Sequence, residues 1–174
     1  MCAMIKDVMV RLTKRKGKGV FARKNFYKGE IIFRNPRGKL VNKKDFTKLS
    51  GDDQEHLNEI NKTTSEIMKP PGRFVNHSCA PNSIPTEFEE NASYVALKDI
   101  KKGEEITVDY RINAHDGNIW RCYCGSRICS KKIKSDFFTL NTRLQKKYLI
   151  YAPKFILNEY NIRHKLLTSS RYTK

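Results

Sequence analysis

Three cysteines, Cys122, Cys124 and Cys129, lie within eight residues and constrain the fold more than any other feature of the sequence. Their spacing is Cys-x-Cys-x4-Cys, and it includes Gly125, which lets the backbone turn sharply between the thiols. Thiolates are soft ligands, and a structural zinc site is normally a closed tetrahedron of four thiolates or imidazoles. The spacing therefore predicts one structural zinc ion whose fourth ligand comes from another part of the chain.

The fourth ligand must be one of the remaining cysteines or histidines. The candidates are Cys79, Cys2, His77, His115, His56 and His164. Cys79 is favoured because it lies in a segment rich in turn-forming residues, whereas Cys2 is close to a chain end that is expected to fray. The alternative is that the clustered cysteines are buried or idle thiols that bind no metal.

The composition indicates one soluble domain in a reducing compartment. Of the 174 residues, 39% are hydrophobic and 30% are charged, which suffices for one core. The five cysteines cannot all pair in disulfides, which favours thiols or metal ligands. No run approaches the roughly 20 apolar residues that span a bilayer, and residues 1–7 do not resemble a signal peptide. We therefore expect no membrane contact and residence in the cytosol or the nucleus.

The net charge is strongly positive, at +17. Residues 131–174 contain eleven Lys and Arg side chains against two carboxylates, Asp136 and Glu159. A positive field attracts nucleic acids and acidic protein surfaces, so these classes are candidate partners of the basic ends. A solvated basic face without a partner is the competing interpretation.

The chain divides into regions of different local pattern. Short apolar runs and glycine turns in the first forty residues predict β-hairpins, whereas the spaced apolar residues of 40–68 predict one or two short helices. Residues 73–82 predict a loop packed on the core. Strands are expected at 94–97 and 106–108 and none after Tyr110. An amphipathic helix is expected over 137–148, and a second short helix over 154–160.

Three separated stretches resemble, in this order, the signature of the SET-domain protein lysine methyltransferases. They are Gly17-Lys18-Gly19-Val20-Phe21-Ala22, then Arg73-Phe74-Val75-Asn76-His77-Ser78-Cys79, then Gly103-Glu104-Glu105-Ile106-Thr107-Val108-Asp109-Tyr110. The cysteine cluster that follows resembles the post-SET zinc motif of that family. Each element alone is weak evidence, because Gly-x-Gly turns and Asn-His pairs are common. Four elements in the right order over residues 17–129 form a specific match.

This resemblance implies a mainly β fold with short helices. Small β-sheets would form a pseudoknot in which the Asn76-His77 segment and the Tyr110 segment are threaded together. The implied organisation is a SET domain over residues 1–118, a post-SET zinc segment over 119–135 and a basic helical C-terminal extension over 136–174. A cysteine-rich segment, which many chromatin-acting relatives carry before the domain, is not expected here.

The resemblance also implies methyl transfer from S-adenosylmethionine to the ε-amine of a lysine in a protein, with a histone or another chromatin protein as the expected substrate class. Tyr110 would be the catalytic residue. The cofactor would contact Lys18, Gly19, Val20, Arg73, Asn76, His77 and Tyr110. In the family pattern Cys79 corresponds to the fourth zinc ligand, beside Cys122, Cys124 and Cys129.

Two further residues are candidates for the lysine channel, Phe46 and Val108. Phe46 is the aromatic side chain available where relatives often place an additional channel aromatic. Val108 lies two residues before Tyr110, where relatives often carry Phe or Tyr. Valine is smaller and forms no hydrogen bond, so we hypothesise that Val108 permits more than one methyl group to be added.

A second function class also fits the sequence. A non-catalytic, zinc-stabilised module could use the same basic surface to bind nucleic acid or chromatin, and Tyr110 would then be a core tyrosine at the end of a strand. A nicotinamide enzyme is disfavoured, because the glycine turn lacks the longer glycine fingerprint and the following helix of a dinucleotide fold.

Overall fold

The computed structural model describes residues 5–14, 16–88 and 91–169, and this part of the chain forms twelve short strands. In chain order the strands are β1 (Val8–Leu12), β2 (Lys18–Ala22), β3 (Ile31–Asn35), β4 (Lys39–Asn42), β5 (Leu57–Glu59), β6 (Thr64–Ile67), β7 (Asn76–His77), β8 (Ser83–Phe88), β9 (Asn91–Ala96), β10 (Glu105–Val108), β11 (Ile119–Arg121) and β12 (Lys132–Lys134). They form four small sheets with the orders β1-β2-β10-β7, β3-β9-β8, β4-β6-β5 and β11-β12. The predicted mainly β class with short helices is confirmed.

Helices are few in the described residues and concentrate near the C-terminus. The α-helices are α1 (Gly51–Glu55), α2 (Thr142–Tyr148) and α3 (Lys154–Ser169). Short 3-10 turns cover Ile5–Asp7, Lys43–Lys48, Gly72–Phe74, Tyr110–Asn113, Phe137–Thr139 and Leu149–Tyr151. Among the described residues, none of these helices combines the length and the apolar character needed to cross a bilayer.

The first two strands form the hairpin that the glycine turn predicts. Gly17 has a φ of 66°, a left-handed conformation that glycine adopts without steric cost, and its carbonyl accepts a hydrogen bond from Thr13 N at 2.7 Å. β1 and β2 then pair antiparallel, with Val8 opposite Ala22. β3 does not extend this hairpin, because it pairs with β9 in another sheet.

The parallel pairing of β7 with β10 brings two distant motifs together. Asn76 lies opposite Thr107 and His77 lies opposite Val108. Ser78 N extends the contact by donating to Val108 O at 2.8 Å. The Asn-His segment thus runs beside the strand that ends the third motif, which fits the threading predicted for these two segments.

Asn82 fastens the loop after β7 to the same strand. Its Oδ1 accepts from Thr107 N at 2.8 Å, while its Nδ2 donates to Glu105 O at 2.8 Å and to Glu104 Oε1 at 3.1 Å. Its own carbonyl accepts from Leu97 N at 2.8 Å. Because Asn82 is only 3% exposed, water cannot replace these bonds. One side chain therefore holds the loop against β10.

Two apolar clusters support the sheets. The larger cluster packs the first sheet against β3 and β9 and consists of Val8, Val20, Ala22, Phe26, Ile32, Phe33, Val75, Tyr94, Ala96, Ile100, Ile106 and Val108. The second cluster joins β8 to the C-terminal helices and consists of Ile84, Ile112, Phe137, Leu140, Tyr148, Ile156 and Tyr160. The helical C-terminal extension therefore shares a core with the sheets. The boundaries at 118 and 135 stay a prediction.

The one or two short helices predicted over residues 40–68 are present, as α1 and the 3-10 turn Lys43–Lys48. The prediction missed a three-stranded sheet of order β4-β6-β5 in the same region. The buried positions of that sheet are polar, since Glu59, Ser65 and Glu66 are 8%, 4% and 6% exposed. Glu59 pairs with Lys43, and Glu66 accepts from Gly38 N. Because these buried positions are polar, the apolar alternation typical of strands is missing from the sequence.

The prediction that strands stop after Tyr110 is wrong. β11 and β12 pair antiparallel on either side of the cysteine cluster, with Trp120 opposite Ile133. Each strand has only three residues, which is too short for a pattern of alternation to appear. The pairing depends on the chain reversal between the strands, which the local sequence does not reveal.

The single amphipathic helix predicted over 137–148 is also wrong in extent. Asp136 caps the 3-10 turn Phe137–Thr139, and Asn141 then caps α2 by accepting from Leu144 N at 3.0 Å. Asn141 has an extended backbone, with φ −64° and ψ 158°, so it separates the two segments. The helical spacing of apolar residues reflects a shared core rather than one continuous helix. The second predicted helix is present and longer than expected, as α3.

We expect Asn82→Ala to destabilise the fold. The substitution leaves the buried Thr107 N and the partly buried Glu105 O without their partners, and a buried unsatisfied group costs about 1–3 kcal/mol. The free energy of unfolding should therefore fall by about 2–4 kcal/mol in chemical denaturation. Asn161→Ala, at an exposed position on α3, is the matched control and should change it by less than about 0.5 kcal/mol. Equal effects of the two substitutions would contradict the role of Asn82.

Candidate active site and zinc centre

A cleft of about 1060 Å³ opens beside β2, β7, β10 and β11. Its lining includes the predicted site residues Lys18, Phe46, Arg73, Asn76, Val108 and Tyr110. Gly19, Val20 and His77 do not line it, and His77 is only 6% exposed. The cleft lies at the upper end of the sizes of about 300–1,000 Å³ that are usual for ligand pockets. It can therefore accommodate a cofactor together with a side chain.

Tyr110 lies at the wall of the cleft and is held at both ends. Its backbone N donates to His77 Nδ1 at 3.2 Å, and its hydroxyl donates to Val75 O at 2.8 Å. Desolvation raises the pKa of Tyr110 to about 12, and the charge of Glu105 acts in the same direction against the lowering effect of the His77 contact. The hydroxyl is therefore a neutral, oriented group at physiological pH.

The side chain of Asn76 connects the glycine turn to β10. Asn76 Nδ2 donates to Lys18 O at 2.9 Å and to Glu105 Oε1 at 2.8 Å. Lys16 Nζ contacts the same carboxylate at 2.9 and 2.8 Å. An amide, a backbone carbonyl, a carboxylate and an ammonium thus meet beside the cleft. These groups satisfy one another and hold the Asn76 side chain in place at the wall of the cleft.

Gly19 lies where three side chains leave no room for a Cβ atom. A Cβ at this position would be 2.7 Å from Thr13 Cγ2, 2.9 Å from Glu105 Oε1 and 3.0 Å from Asn76 Nδ2. The next residue, Val20, has its side chain fully buried in the core, at 0% exposure. Only the backbone atoms of Val20 can therefore contact a cofactor.

Arg73 presents a donor that the protein itself leaves unpaired. Its Nη2 donates to Asp52 Oδ2 at 2.6 Å and lies 3.1 Å from His56 Nδ1. Its Nε is buried and has no hydrogen-bond partner among the described residues. An unsatisfied buried N–H costs about 1–3 kcal/mol. An oxygen of a bound cofactor would satisfy this atom, so the cleft fits a ligand with a carboxylate or hydroxyl groups.

His77 lies behind the cleft and connects Tyr110 to the cysteines. Burial lowers the pKa of His77 to about 4, and this effect exceeds the raising effect of Asp109. The ring is therefore neutral, and because Nδ1 accepts from Tyr110 N, its proton is on Nε2. His77 Nε2 lies 3.4 Å from Cys79 Sγ. This geometry supports a positioning role for His77, and its contact with the cofactor stays a prediction.

The two predicted channel residues differ in burial. Val108 is 6% exposed at the end of β10, and Phe46 is 42% exposed in the 3-10 turn Lys43–Lys48. Both line the cleft. Val108 therefore belongs to a fixed wall, whereas Phe46 lies on the more open side.

Trp120 is a cleft residue that sequence reasoning missed. Its ring centroid lies 6.0 Å from that of Tyr110 and 6.2 Å from that of His77. Trp120 also packs against the cluster of Cys79, Cys122 and Ile133. It is the one tryptophan of the chain and lies two residues before Cys122. This proximity to the cysteine cluster is the sequence signal that could have identified it.

The four predicted zinc ligands converge. The sulfur atoms of Cys79, Cys122, Cys124 and Cys129 all lie within 4.8 Å of one another. Those of Cys79 and Cys122 are 3.9 Å apart. Four thiolates at about 2.3 Å from one zinc ion lie about 3.8 Å from each other in a tetrahedron. The donor set and its spacing therefore fit a structural zinc ion.

The turn between the clustered cysteines depends on local backbone geometry. Gly125 has a φ of 71°, and Cys129 N donates to Ser126 O at 3.0 Å. Cys122 N donates to Lys131 O at 2.7 Å and closes the turn. The alternative ligands His115, His56, His164 and His77 are not members of the group. Cys2 lies outside the described residues.

Comparison with known proteins identifies the family of the three motifs. The family model of the SET domain matches residues 17–111. The variant-silencing SET domain-containing protein of Plasmodium falciparum is 32% identical over 144 residues, which are 73% of this chain and 6% of that protein.

Two further relatives carry names that state an activity. The H3 lysine-36 specific histone-lysine N-methyltransferase of Saccharomyces cerevisiae is 28% identical over 130 residues, 67% of this chain and 18% of that protein. The H3 lysine-9 specific histone-lysine N-methyltransferase of Fusarium mangiferae is 40% identical over 83 residues, 38% of this chain and 24% of that protein. The chain thus spans less than a quarter of the length of each of these three relatives.

Proposed function

The chain belongs to the SET domain family, and on this premise we propose that it transfers a methyl group from S-adenosylmethionine to the ε-amine of a lysine in a protein. One observation carries the proposal: the Tyr110 hydroxyl is held 2.8 Å from Val75 O at the wall of a cleft that contains a further unpaired donor. A module without catalytic function has no chemical need for this combination.

The residues around the glycine turn would hold the cofactor. S-adenosylmethionine, when bound, supplies a methyl group on a positively charged sulfur. Arg73 Nε offers the unpaired donor for an oxygen of the cofactor, and the Asn76 side chain together with Lys18 O offers polar contacts beside it. A Cβ atom at Gly19 would lie 3.0 Å from Asn76 Nδ2, so glycine at this position lets the Asn76 side chain keep its place. The family pattern supports the same positions, with His77 acting through the backbone of Tyr110.

Tyr110 would orient the attacking lysine. The ε-amine must be neutral to attack, and a free lysine has a pKa of about 10.4. The apolar side chains of Phe74, Val108 and Trp120 line the cleft with Tyr110 and would desolvate the amine, which lowers its pKa. Because the phenol is itself neutral, it can accept a hydrogen bond from the amine without adding a competing charge. The contribution of Tyr110 is therefore positioning of the nitrogen rather than removal of its proton.

The charge of the cleft supports a basic peptide as substrate. The cleft is lined by five carboxylates, Asp52, Glu55, Glu59, Glu66 and Asp116, against the four cations Lys16, Lys18, Lys43 and Arg73. The whole chain, by contrast, has 35 Lys and Arg against 18 Asp and Glu. Glu55 and Asp116 are exposed, so they can meet positive side chains of a substrate. A lysine within a lysine- and arginine-rich segment is the substrate that fits best.

Histone tails are basic peptides of this kind, and we propose histone H3 as the first substrate to test. The yeast and Fusarium relatives are named for two different lysines of H3, so their names do not choose a target lysine for this chain. Action on a histone would require the protein to reach chromatin in the nucleus.

We further propose that one zinc ion binds Cys79, Cys122, Cys124 and Cys129. The spacing of the four sulfurs supports this assignment. The ion would fix the hairpin of β11 and β12 to the loop after β7, and through Trp120 it would support the wall of the cleft. Its role is structural, because four thiolates leave no open coordination position.

Replacing Tyr110 by Phe tests the catalytic assignment. We expect kcat for methyl transfer to an H3 tail peptide to fall at least about 100-fold, because the hydroxyl that positions the amine is lost. Cofactor affinity, measured by calorimetry, should change little. Tyr27→Phe at an exposed position is the matched control and should keep full activity. Substantial activity of Tyr110→Phe would contradict the proposal.

The pH profile gives a second measurement on the same residue. Because the pKa of Tyr110 is raised to about 12, its hydroxyl stays protonated while the substrate lysine loses its proton. Wild-type kcat/KM, which depends on the ionisation of the free substrate lysine, should therefore keep rising with pH up to about 10, the range in which that lysine titrates. A decline above about pH 8 that is absent from Tyr110→Phe would show that the phenol itself titrates there.

Val108 provides a prediction about product. We expect the wild-type enzyme to add more than one methyl group, since valine neither fills the channel nor forms a hydrogen bond. Val108→Tyr should shift the product toward monomethyl-lysine in mass spectrometry. Val108→Thr has nearly the same size as valine but adds a hydroxyl, so it separates the effect of bulk from that of polarity. A strictly monomethyl product that Val108→Tyr leaves unchanged would refute the hypothesis.

The zinc assignment predicts a loss of both stability and cofactor binding when the metal is removed. Metal analysis should find one zinc per chain, and Cys122→Ser should lower that content and the melting temperature. Because Trp120 packs on both the cysteines and Tyr110, cofactor affinity should also fall by about tenfold or more. Cys2→Ser is the matched control and should keep zinc content and affinity. Unchanged methyl transfer by Cys122→Ser would contradict the coupling.

A further inference from the structure

The segment of residues 119–135 carries a second, separate charge feature. It contains the five cations Arg121, Arg127, Lys131, Lys132 and Lys134 and no carboxylate. All five side chains are exposed. None of them lines the cleft that holds Tyr110. The chemistry proposed for the cleft therefore leaves this feature without a role.

The hairpin of β11 and β12 sorts its side chains onto two faces. Arg121 lies opposite Lys132 and Ile119 lies opposite Lys134, whereas Trp120 lies opposite Ile133. Cross-strand neighbours on one face have Cβ atoms about 4.5–5.5 Å apart. Ile133 is 1% exposed, so the Trp120 face is turned toward the cysteine cluster and the other face toward solvent. We call the exposed face, formed by Ile119, Arg121, Lys132 and Lys134, the basic ribbon.

Two of the three cations of the basic ribbon have no carboxylate partner among the described residues, and the third has a distant one. Arg121 and Lys132 form no salt bridge with any carboxylate of the described residues, and Lys134 Nζ lies 3.9 Å from Asp136 Oδ2, at the limit of an ion pair. Cations elsewhere are paired more closely, such as Lys16 with Glu105 at 2.8 Å. Cations that lie close together without carboxylate partners favour the binding of a polyanion. The polyanion releases its condensed counterions when it binds, and this release contributes binding free energy.

An aromatic platform continues the basic ribbon into the cysteine turn. Tyr123 is 54% exposed, and the guanidinium of Arg121 lies 5.5 Å from the centre of its ring. Exposed tyrosine and arginine planes stack on unpaired nucleobases, at about 1–3 kcal/mol per base. Phosphate-binding cations beside such a platform distinguish a nucleic acid from an acidic protein, which has no planar bases to stack.

We propose that the basic ribbon binds nucleic acid. Arg121, Lys132 and Lys134 contact backbone phosphates, and Tyr123 stacks on a base where the strand is unpaired. The surface lies on the opposite face of β11 from the cleft residue Trp120. A bound strand therefore leaves the cleft open, and the proposal holds whether or not the cleft is catalytic.

The test is fluorescence anisotropy of the full, zinc-containing chain with a labelled oligonucleotide, as a single strand and as a duplex of the same sequence. The triple variant Arg121→Gln/Lys132→Gln/Lys134→Gln should bind at least about tenfold more weakly at low salt. Its slope of log K against log salt should be smaller by about two to three for the duplex, since each phosphate contact contributes about 0.9. Tyr123→Ala should weaken binding of the single strand alone.

A matched control separates this surface from the general positive charge. Lys28→Gln/Lys101→Gln/Lys102→Gln removes the same charge at exposed positions in the Gly29 and Gly103 turns and should weaken binding by less than about threefold. Equal weakening by both triple variants would overturn the assignment to the ribbon. Absence of oligonucleotide binding at low salt would also overturn the assignment. Tighter binding of the protein to anionic phosphatidylserine vesicles or to polyglutamate than to the oligonucleotide would overturn it as well.

Methyl transfer distinguishes this proposal from the one for the cleft. The ribbon variant should methylate a short peptide at the wild-type rate, because none of its three changed side chains lines the cleft. Its melting temperature and zinc content should also match those of the wild type. If the ribbon variant loses oligonucleotide binding but keeps its methylation rate, melting temperature and zinc content, the result supports nucleic-acid binding by the basic ribbon. A ribbon variant with wild-type oligonucleotide affinity refutes it, whatever the activity of the cleft.

Discussion

The two-residue parallel ladder between β7 and β10 is the constraint on which the site depends. It brings His77 beside Val108, and this register places the backbone of Tyr110 against the His77 ring and its hydroxyl against Val75. So short a ladder is not stable alone. Asn82 ties the following loop to the same strand, and the apolar cluster behind it excludes water. The position of the proposed catalytic group therefore depends on the packing that supports β7 and β10.

Much of the site could be predicted because its residues form short ordered motifs that meet in space. Cys79 joins the C-terminal cysteines as expected. The sheet of β4, β5 and β6 could not be predicted, because its buried positions are polar and lack the apolar alternation of a typical strand. Trp120 was missed for a related reason: its place beside Tyr110 follows from the reversal between β11 and β12. Local patterns identify elements, but they do not reveal pairings between distant, short segments.

Opposite charge preferences coexist on this small chain. Carboxylates outnumber cations in the lining of the cleft, although the chain as a whole is strongly basic. The exposed face of the hairpin beside the cleft carries three cations and no carboxylate. A basic peptide and a polyanion can therefore approach neighbouring surfaces without competing for the same side chains. Chromatin presents both kinds of polymer together, which links the two proposals physically.

The position of Trp120 has a consequence for observing the molecule. It is the one tryptophan in the sequence, and it lies between the cysteine cluster and the Tyr110 wall of the cleft. Indole emission is sensitive to the polarity and quenching groups around the ring. The intrinsic tryptophan fluorescence of this protein therefore has a single source, at the junction of the proposed zinc site and the proposed cofactor site. Occupation of either site should register in it without any added label.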